Sequence, residues 1–376
     1  METDRRSFLK GGAGLAASLL VSHAGAHCAD ATDLSHIRFI SSARLSDGSY
    51  GLVFVSGAGR ISRTIPLAAR GHDITVSSDG RLAVAFARRP GTFAVAFDPQ
   101  AATPPTVFAA PEDRHFYGHG VLSPDGRLLY ATENDFDAVR GVLGIYDVGA
   151  SFRRIGEIDT HGVEPHDLLL LSDGRTLCVA NGGIETHPST GRAKLNLDTM
   201  APSLVFLDRE TGDLLARHAL PASLHQLSIR HLAADATGTV WMGGQWEGGM
   251  DAAPALVGSA GRDRQLVLVP ATDGIGPDLK GYIGSVAASA DGRIVAASAP
   301  RAGRTLFVDA STGRLVGERR IADGCGVAPV GGSMIAVSSG LGELSLETPG
   351  QPPALAGRSP GVSFDNHLIL AEVVAP

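Results

Sequence analysis

Residues 167–180 have the sequence DLLLLSDGRTLCVA, in which two short apolar runs flank an Asp-Gly pair. Such a pair between strand-like runs is a strong β-hairpin signal, because it fits the tight turn between antiparallel strands. Two more strand-like runs follow at residues 203–208 and 214–217, separated by a Glu-Thr-Gly turn. The segment therefore predicts a four-stranded antiparallel unit, with strands A to D in chain order.

The same unit recurs along the chain. Six turns of this kind carry a glycine, and these glycines lie 46, 48, 64, 54 and 40 residues apart: Gly80, Gly126, Gly174, Gly238, Gly292 and Gly332. This spacing is typical of the four-stranded blades of a β-propeller with loop insertions. Six complete repeats start near residues 72, 119, 166, 231, 284 and 325.

Both ends of the chain carry an incomplete repeat. Residues 36–67 supply three strand-like runs and residues 362–374 supply one. A solenoid would repeat in the same way, but these complementary ends favour a ring whose last blade has no open sheet edge. We predict an all-β protein, a single seven-bladed β-propeller over residues 32–376, with four-stranded blades and a last blade closed by N- and C-terminal strands.

The N-terminus has the pattern of an export signal. The run Arg5-Arg6-Ser7-Phe8-Leu9-Lys10 precedes a Gly/Ala/Leu-rich apolar stretch that ends in Ala24-Gly25-Ala26. This pattern indicates a twin-arginine (Tat) signal. We predict that residues 1–31 are the signal peptide and a short mature segment, that the Tat translocase exports the protein, and that the mature protein is periplasmic.

Composition excludes several classes of function. The formal net charge is -7 and no basic run stands out, which argues against a nucleic-acid partner. No segment after the signal has the roughly 18 to 20 continuous apolar residues of a membrane span. A G-x-S-x-G nucleophile elbow and a Rossmann glycine motif after a strand are also missing, so serine hydrolases and dinucleotide enzymes are disfavoured.

Five of the seven repeats have a histidine at one register. The first four precede their turn glycine by seven or eight residues, and the fifth aligns with them in the closing strand: His72, His119, His166, His231 and His367. This register predicts a histidine at the start of each innermost strand A. Because all A strands of a propeller run in the same direction, the five imidazoles should meet at one mouth of the central channel.

Converging imidazoles favour metal binding. Neutral imidazole is the commonest protein ligand for copper, zinc and iron, so we predict that the five histidines hold a transition metal, iron or copper, or a haem. Asp73 and Asp167 could be ligands or could orient the imidazoles. The alternative is that the histidines line a water-filled channel without metal.

Loops between strands B and C return to the histidine face, together with an insertion at residues 182–202. We predict that four residues bind a cofactor, three from these loops and Arg230 directly before His231: Arg88, Glu133, Asn181 and Arg230. His115 lies four residues before His119, but the glycines there argue against a helix, and we expect a loop residue of the same mouth. Cys325 aligns with the histidines in the sixth repeat, so it could be either a metal ligand or a buried structural thiol. Cys178 should be buried in a B strand.

Several segments resemble one exported family, domain of unknown function 1513. They are distributed from the leader to the C-terminus: Gly71-His72-Asp73, Gly118-His119-Gly120, Glu164-Pro165-His166-Asp167, Ala180-Asn181-Gly182-Gly183-Ile184, residues 194–200, residues 224–231 and Asp365-Asn366-His367. Phe364 departs from the family pattern, which has tryptophan there. The family is similar in fold to the heavy-chain propellers of quinoprotein amine dehydrogenases.

The resemblance implies a periplasmic role around iron. Genes of this family accompany imelysin-type iron-uptake proteins and a dihaem thiol-oxidoreductase-like protein, which become the expected partners. We therefore expect a propeller that binds iron, another transition metal or a haem-like ligand as an accessory to imelysin-type uptake. Two alternatives stay open: a metal-dependent periplasmic oxidoreductase using the same histidines, and a metal-free scaffold that docks these partners.

Overall fold

The computed structural model describes residues 37–89, 91–101, 103–270 and 278–373. The predicted Tat signal lies outside these residues. Within them, the chain forms β-strands joined by turns and six short 3-10 helices: Val148–Ala150, Pro188–Thr190, Leu197–Thr199, Ala222–Leu224, Met250–Ala252 and Pro300–Ala302. No helix in the described ranges is both long and apolar enough to cross a bilayer.

The strands form seven antiparallel sheets, one for each predicted blade. The N-terminal strands are β1 (Ile37–Arg44), β2 (Tyr50–Ser56) and β3 (Ile61–Leu67). Blades I to III follow as β4 (Gly71–Val76), β5 (Ala83–Ala87), β6 (Phe93–Phe97) and β7 (Thr106–Ala109); β8 (Arg114–Leu122), β9 (Leu128–Asp135), β10 (Arg140–Asp147) and β11 (Arg153–Asp159); β12 (Pro165–Leu170), β13 (Thr176–Asn181), β14 (Ser203–Asp208) and β15 (Leu214–Ala219).

Blades IV to VI repeat the same order, with four consecutive strands in each sheet. They are β16 (Leu227–Ala234), β17 (Val240–Trp246), β18 (Val257–Gly261) and β19 (Arg264–Leu268); β20 (Ser285–Ala288), β21 (Ile294–Ala299), β22 (Arg304–Asp309) and β23 (Leu315–Arg320); β24 (Gly324–Gly331), β25 (Met334–Ser339), β26 (Glu343–Glu347) and β27 (Ala354–Arg358). The C-terminal strands are β28 (Ser363–Phe364) and β29 (Ile369–Val373).

The seventh blade joins the two ends of the chain. β28 and β29 both pair with β1 in antiparallel orientation, with Phe364 opposite Ala43 and Ile369 opposite Ile40. This confirms the predicted seven-bladed propeller and its closing blade. The six predicted turn glycines all have positive φ, between 53° and 80°, which explains why glycine is needed at these A–B turns.

The core lies between the flat faces of neighbouring blades. The middle strands β13 and β14 are buried along their whole length, whereas the outermost strand β15 is mostly exposed. Leu143 of blade II packs in one apolar cluster with Leu177 and Val205 of blade III. Burying each such side chain contributes roughly 1.5–3 kcal/mol, so packing between blades stabilises the closed ring of blades. The innermost strands of neighbouring blades are in contact around a central channel.

Candidate metal centre

A break in strand pairing positions each of the five histidines. The ladder between β4 and β5 skips from Gly71 to Ile74, which frees His72 from regular pairing, and the β8–β9 ladder skips from Phe116 to Gly120 around His119. Similar breaks occur beside His166 and His231, and His367 lies between β28 and β29. A β-bulge redirects a side chain, so these irregularities turn the imidazoles into the channel.

Two of the histidines lie deeper in their strands than the sequence predicted. His119 and His231 are inside β8 and β16 rather than at the start of the strand, because both strands extend beyond the bulge. His72 and His166 do lie next to the first residue of their strands, as predicted.

The five imidazoles form one buried group, which we call the histidine cluster: His72, His119, His166, His231 and His367. Each ring is at most 9% exposed. Neighbouring ring centres lie 4.7 Å apart for His72 and His367, 4.8 Å for His119 and His367, and 5.0 Å for His231 and His367. The predicted convergence on the channel is therefore present.

His119 is the centre of the cluster and contacts two carboxylates. Its Nδ1 donates to Asp73 Oδ2 at 3.1 Å, and Asp167 Oδ1 lies 3.1 Å from the same atom. Burial opposes protonation of this imidazole, but the charges of Asp167 and Asp73 outweigh it and raise the pKa of His119 to about 10. With Nδ1 engaged, Nε2 points away from the carboxylates and has no hydrogen-bond partner.

The other four histidines are neutral at pH 7. Burial is the largest influence and lowers the pKa of His72, His166, His231 and His367 below the ordinary value of 6.5, and neighbouring cationic or imidazole groups lower it further. Asp365 beside His72 and Asp73 beside His367 oppose this shift without reversing it. A neutral imidazole has a free lone pair, which is the form that binds a metal. Proton competition for these four sites is therefore weak at neutral pH.

Among the described residues, two sets of three histidines could hold a metal ion. In one set the possible ligand atoms of His119, His231 and His367 lie within 4.8 Å of one another, and the other set consists of His72, His119 and His166. Asp73, His119 and Asp167 form a third group with the same spacing. His119 belongs to all three groups, so it is the residue on which any metal site here depends.

The set of His119, His231 and His367 offers more free ring nitrogens for metal coordination than the set that includes His166. His119 Nε2, His367 Nε2 and both nitrogens of His231 are buried without a partner. His166 differs, because Arg230 Nη1 lies 3.1 Å from its Nδ1 and arginine can only donate. The neutral His166 ring therefore carries its proton on Nε2, which suits a hydrogen-bond donor better than a ligand.

A cavity of about 230 Å³ lies above the cluster, and we call it the vestibule. His72, His166 and His231 form its floor, and loops at the ends of the B strands form its wall. Beneath the cluster, the central channel is lined by His231, His367 and apolar residues such as Val121 and Leu168. The cluster thus separates a polar vestibule from a mostly apolar channel, whose lining also includes Asp73 and Asp167.

Two of the four predicted cofactor-binding residues line the vestibule, namely Arg88 and Arg230. Glu133 does not: β9 continues through Asp135, so Glu133 is a buried strand residue that accepts from Tyr146 Oη at 2.5 Å and from Arg154. Asn181 is also elsewhere. It ends β13 and donates from Nδ2 to the carbonyl of Thr160 at 2.8 Å.

His115 and Cys325 lie apart from the possible ligand atoms. His115 is in β8, not in a loop, and its Nε2 contacts Asn134 Nδ2 at 3.0 Å in a side pocket next to Phe136. Cys325 is 4% exposed and its thiol donates to the carbonyl of Asp323 at 3.0 Å. Burial and the charge of Asp323 raise the pKa of this thiol, so it is not a ready thiolate ligand. Cys178 is buried in β13, as predicted.

Several residues of the site were not predicted from the sequence. Arg192 and Lys194 come from the insertion at residues 182–202 and line the vestibule, so the insertion forms part of the vestibule wall. Asp365 lies 3.8 Å from His72 Nδ1 and pairs with Arg88 Nη1 at 3.0 Å. A signal for Asp365 was present, because the residue is two positions before His367 in the closing motif.

Comparisons with known proteins identify the family and the fold. The sequence profile of the family described as "Protein of unknown function (DUF1513)" matches residues 65–371. No curated protein matches the chain significantly.

Two solved structures illustrate the shared fold. Hydrazine synthase of Kuenenia stuttgartiensis is similar with a TM-score of 0.60 and 13% identity, over 84% of this chain and 96% of that one. The periplasmic gluconolactonase PpgL of Pseudomonas aeruginosa is similar with a TM-score of 0.57 and 14% identity, over 88% of this chain and 99% of that one. At such identities the likeness concerns the fold alone.

Proposed function

The chain belongs to the DUF1513 family, whose function is unknown, and we propose that it binds a transition metal ion at the histidine cluster. The observation that carries the proposal is the set of buried nitrogens without partners on His119, His231 and His367. Each unsatisfied buried polar atom costs about 1–3 kcal/mol. A metal ion bound to three of them would remove that cost at three positions at once.

The surroundings of His119 support the same proposal. A histidine that ligates a metal through one nitrogen commonly donates its other N–H to a carboxylate, which fixes the ring and strengthens the ligand. His119 has this arrangement, with Asp73 and Asp167 on Nδ1 and a free Nε2. We propose His119, His231 and His367 as ligands, while His72 and His166 line the vestibule floor beside His231.

We propose iron as the metal, with copper as the alternative. Imidazole nitrogens and nearby carboxylate oxygens suit both metals, and the family resemblance favours iron. A haem is less well supported, because the vestibule volume of about 230 Å³ is below the ~300 Å³ at which pockets for larger organic ligands begin.

The proposal extends to the cellular setting. We propose that the Tat translocase exports the protein to the periplasm, where it acts with imelysin-type and dihaem proteins in iron uptake. The leader sequence and the family resemblance support this setting, and the buried cluster is compatible with a protein that acquires its metal while folding.

The test is the metal content of protein exported through the Tat pathway and purified without chelator. Wild type should contain close to one metal ion per chain, and His119→Gln should contain almost none. His218→Gln is the matched control, because His218 is also buried but lies outside the cluster, where its Nε2 contacts the carbonyl of Gly261.

Two outcomes would contradict the proposal. Equal metal content in His119→Gln and wild type would place the metal elsewhere. A wild-type protein that is metal-free and takes up neither iron nor copper would favour the docking scaffold, which co-purification with imelysin-type or dihaem partners would then support.

A metal-dependent oxidoreductase is the second candidate. One observation favours it: His231 faces both the cluster and the vestibule, so a metal with three protein ligands would keep an open position accessible from outside. Voltammetry of the metal-loaded protein should then show a reversible couple that shifts when a vestibule ligand is added. Absence of any couple would rule out this redox role.

A further inference from the structure

The vestibule is strongly basic although the chain as a whole is acidic. Its lining contains six cationic side chains and two carboxylates, in a chain whose formal net charge is -7. The six cations are Arg88, Arg89, Arg192, Lys194, Arg230 and Arg301. They come from blades I, III, IV and V, so positive charge surrounds the cavity instead of lying on one side.

Internal ion pairs neutralise only part of this charge. Arg88 pairs with Asp365 at 3.0 Å, Arg230 with Glu164 at 2.8 Å, and Lys194 with Glu247. Glu164 also lies 4.0 Å from Arg89 Nη1, so two arginines share this carboxylate. Three carboxylates against six cations leave a surplus of three positive charges among these described residues. A cavity with such a surplus attracts and concentrates anions.

Arg192 and Arg301 account for most of the surplus. No ion pair among the described residues involves either guanidinium, and Arg301 lies over the Tyr282 ring at 4.2 Å. The pKa of Arg192 is lowered by partial burial and then by the positive charges of Arg88 and Arg89, which shows that these cations share one region. Their guanidinium groups keep free donors toward the cavity.

A buried group at the floor of the vestibule also has an unused donor. Arg230 is 7% exposed, and its Nε has no hydrogen-bond partner although its Nη1 contacts His166 and Glu164. An unpartnered buried N–H is costly and is satisfied by an acceptor oxygen. Arg230 lines the vestibule and its Nη1 contacts His166, so an acceptor bound to this side chain would be at the floor of the cavity.

The shape and walls of the cavity favour an organic anion over an inorganic one. Its volume of about 230 Å³ holds many more atoms than a single oxyanion, and Trp246 and Tyr282 contribute apolar ring surface between the cations. Guanidinium groups bind carboxylate and phosphate oxygens with similar bidentate geometry. Because the cations come from four different blades, a ligand with more than one acidic group can contact several of them at once.

We propose that the vestibule binds a small organic polyanion, with two or more carboxylate or phosphate groups, in contact with Arg230 at its floor and with Arg192 and Arg301 at its rim. This binding uses the arginines alone, so it does not rest on the proposed metal. If the metal is present, one acidic oxygen of the ligand faces the histidine cluster through the vestibule floor.

The experiment measures anion binding to metal-free protein by titration calorimetry. The metal is removed with an immobilised chelating resin, because a soluble polycarboxylate chelator would itself compete for the vestibule. The probes are citrate and succinate as polycarboxylates, 2-phosphoglycerate as an organic phosphate, and acetate, inorganic phosphate and glycerol as comparisons. One molecule of a polyanion should bind per chain, at least ten-fold more tightly than acetate or inorganic phosphate, while glycerol should not bind.

Variants connect the binding to the vestibule. The double variant Arg192→Gln/Arg301→Gln should weaken polyanion binding ten-fold or more, and since both arginines lie at the surface the variant should stay folded. Arg262→Gln is the control, because Arg262 is also exposed but lies on a turn between β18 and β19, on the opposite face. It should leave binding unchanged.

The results distinguish carboxylate ligands from phosphate ligands, and they also show whether the proposal is wrong. Tight binding of citrate alone assigns carboxylates, and tight binding of 2-phosphoglycerate alone assigns phosphates. The proposal is overturned if no polyanion binds, if inorganic phosphate binds as tightly as every organic probe, or if Arg262→Gln weakens binding as much as the vestibule variant. Since the protein is metal-free throughout, such a failure would leave the proposed metal site untouched.

Discussion

At the scale of single residues, opposite protonation states are held side by side. Two carboxylates keep His119 protonated at neutral pH, while burial keeps His72, His166 and His231 neutral a few ångströms away. A metal bound at His119 Nε2 would displace one proton and leave the Nδ1–H contacts with Asp73 and Asp167 in place. The two carboxylates therefore stabilise positive charge at His119, whether a proton or a metal ion occupies Nε2.

Removing the charge of Asp73 should weaken metal binding. Asp73 lies against His119 at 3.1 Å and its Oδ1 is 3.6 Å from His367 Nδ1, so it orients two proposed ligands. We expect Asp73→Asn to reduce metal affinity about 10- to 100-fold, as loss of such a supporting carboxylate usually does. Asp79→Asn, in an exposed turn of the same blade, is the control for competition titrations. Equal affinities for both variants would remove Asp73 from the site.

The metal-free protein should lose stability as the medium becomes acidic. The pKa values of His72, His166, His231 and His367 are lowered in the folded state, so below pH 6.5 the unfolded chain binds protons that the fold excludes. Each histidine can remove up to about 1.4 kcal/mol of stability per pH unit in that range. His119 has the opposite sign, since its raised pKa gives a contribution that is full below pH 6.5 and is lost as pH rises through about 10.

Urea unfolding between pH 5 and 9 measures this dependence. Stability should be greatest near neutral pH, and His72→Gln/His231→Gln should show a shallower loss between pH 6.5 and 5. The same slope in the variant and the wild type would mean that these imidazoles do not control acid stability.

At the scale of secondary-structure elements, the bulges in the inner strands direct the histidines. Gly118 lies in the β8 bulge with φ of 113°, and a Cβ there would come within 2.4 Å of the His72 imidazole. Only glycine fits both the backbone and the neighbouring ring. The bulge therefore couples His119 of blade II to His72 of blade I.

Gly118→Ala should damage the site as well as the fold. We expect a loss of at least ~2 kcal/mol of stability from the strained backbone and the displaced His72 ring, with a clear decrease in metal affinity. Gly313→Ala is the matched control, because Gly313 also has positive φ but nothing lies within 4 Å of its added Cβ. It should lose only about 1 kcal/mol and keep full metal affinity. Parallel losses of affinity in the two variants would contradict a specific role of the bulge.

The sequence repeat predicted the strands well where a strand is an apolar run between turns, and less well where a strand contains buried charged residues. Residues 203–208 were predicted as a strand and are β14, because a buried apolar run between turns leaves little ambiguity. The sequence predicts Glu133 in a loop between strands B and C, whereas β9 continues and pairs Glu133 with Val142. Polarity alone cannot distinguish a strand end from a buried ion pair, here with Arg154 at 2.9 Å.

The candidate site was predictable where it follows the repeat and not where it departs from it. Counting back from the turn glycine identifies His72 or His166 without a structure. Arg192 and Lys194 belong to an insertion that has no counterpart in other blades, so no register places them over the channel. Bulges are also invisible in the sequence, which is why the depth of His119 and His231 was predicted incorrectly.

At the scale of the whole molecule, closure of the ring completes the cluster. The C-terminal strands β28 and β29 pair with β1, and the short connection between them carries Asp365 and His367. The last segment of the chain therefore supplies both the pairing that closes the sheet and a proposed metal ligand. Stability and metal binding should depend on it together.

Truncation after residue 362 should open the propeller. Removing β28 and β29 exposes the edge of β1 and the apolar cluster around Phe364 and Leu368, so we expect a large decrease in melting temperature and aggregation of the truncated chain. A peptide covering residues 361–373, added in trans, should restore part of the stability by β-strand addition. An unchanged melting temperature would show that the ring does not depend on this closure.

Metal binding at the histidine cluster can be measured in a crystal structure of the metal-loaded protein, with anomalous diffraction recorded on both sides of the iron absorption edge. We expect one anomalous peak in the channel, about 2.1 Å from His119 Nε2, with His231 and His367 as the other protein ligands. A loaded crystal without a peak in the cluster, or with its metal only at groups outside it such as His187 and Asp137, would show that the cluster is not the metal site.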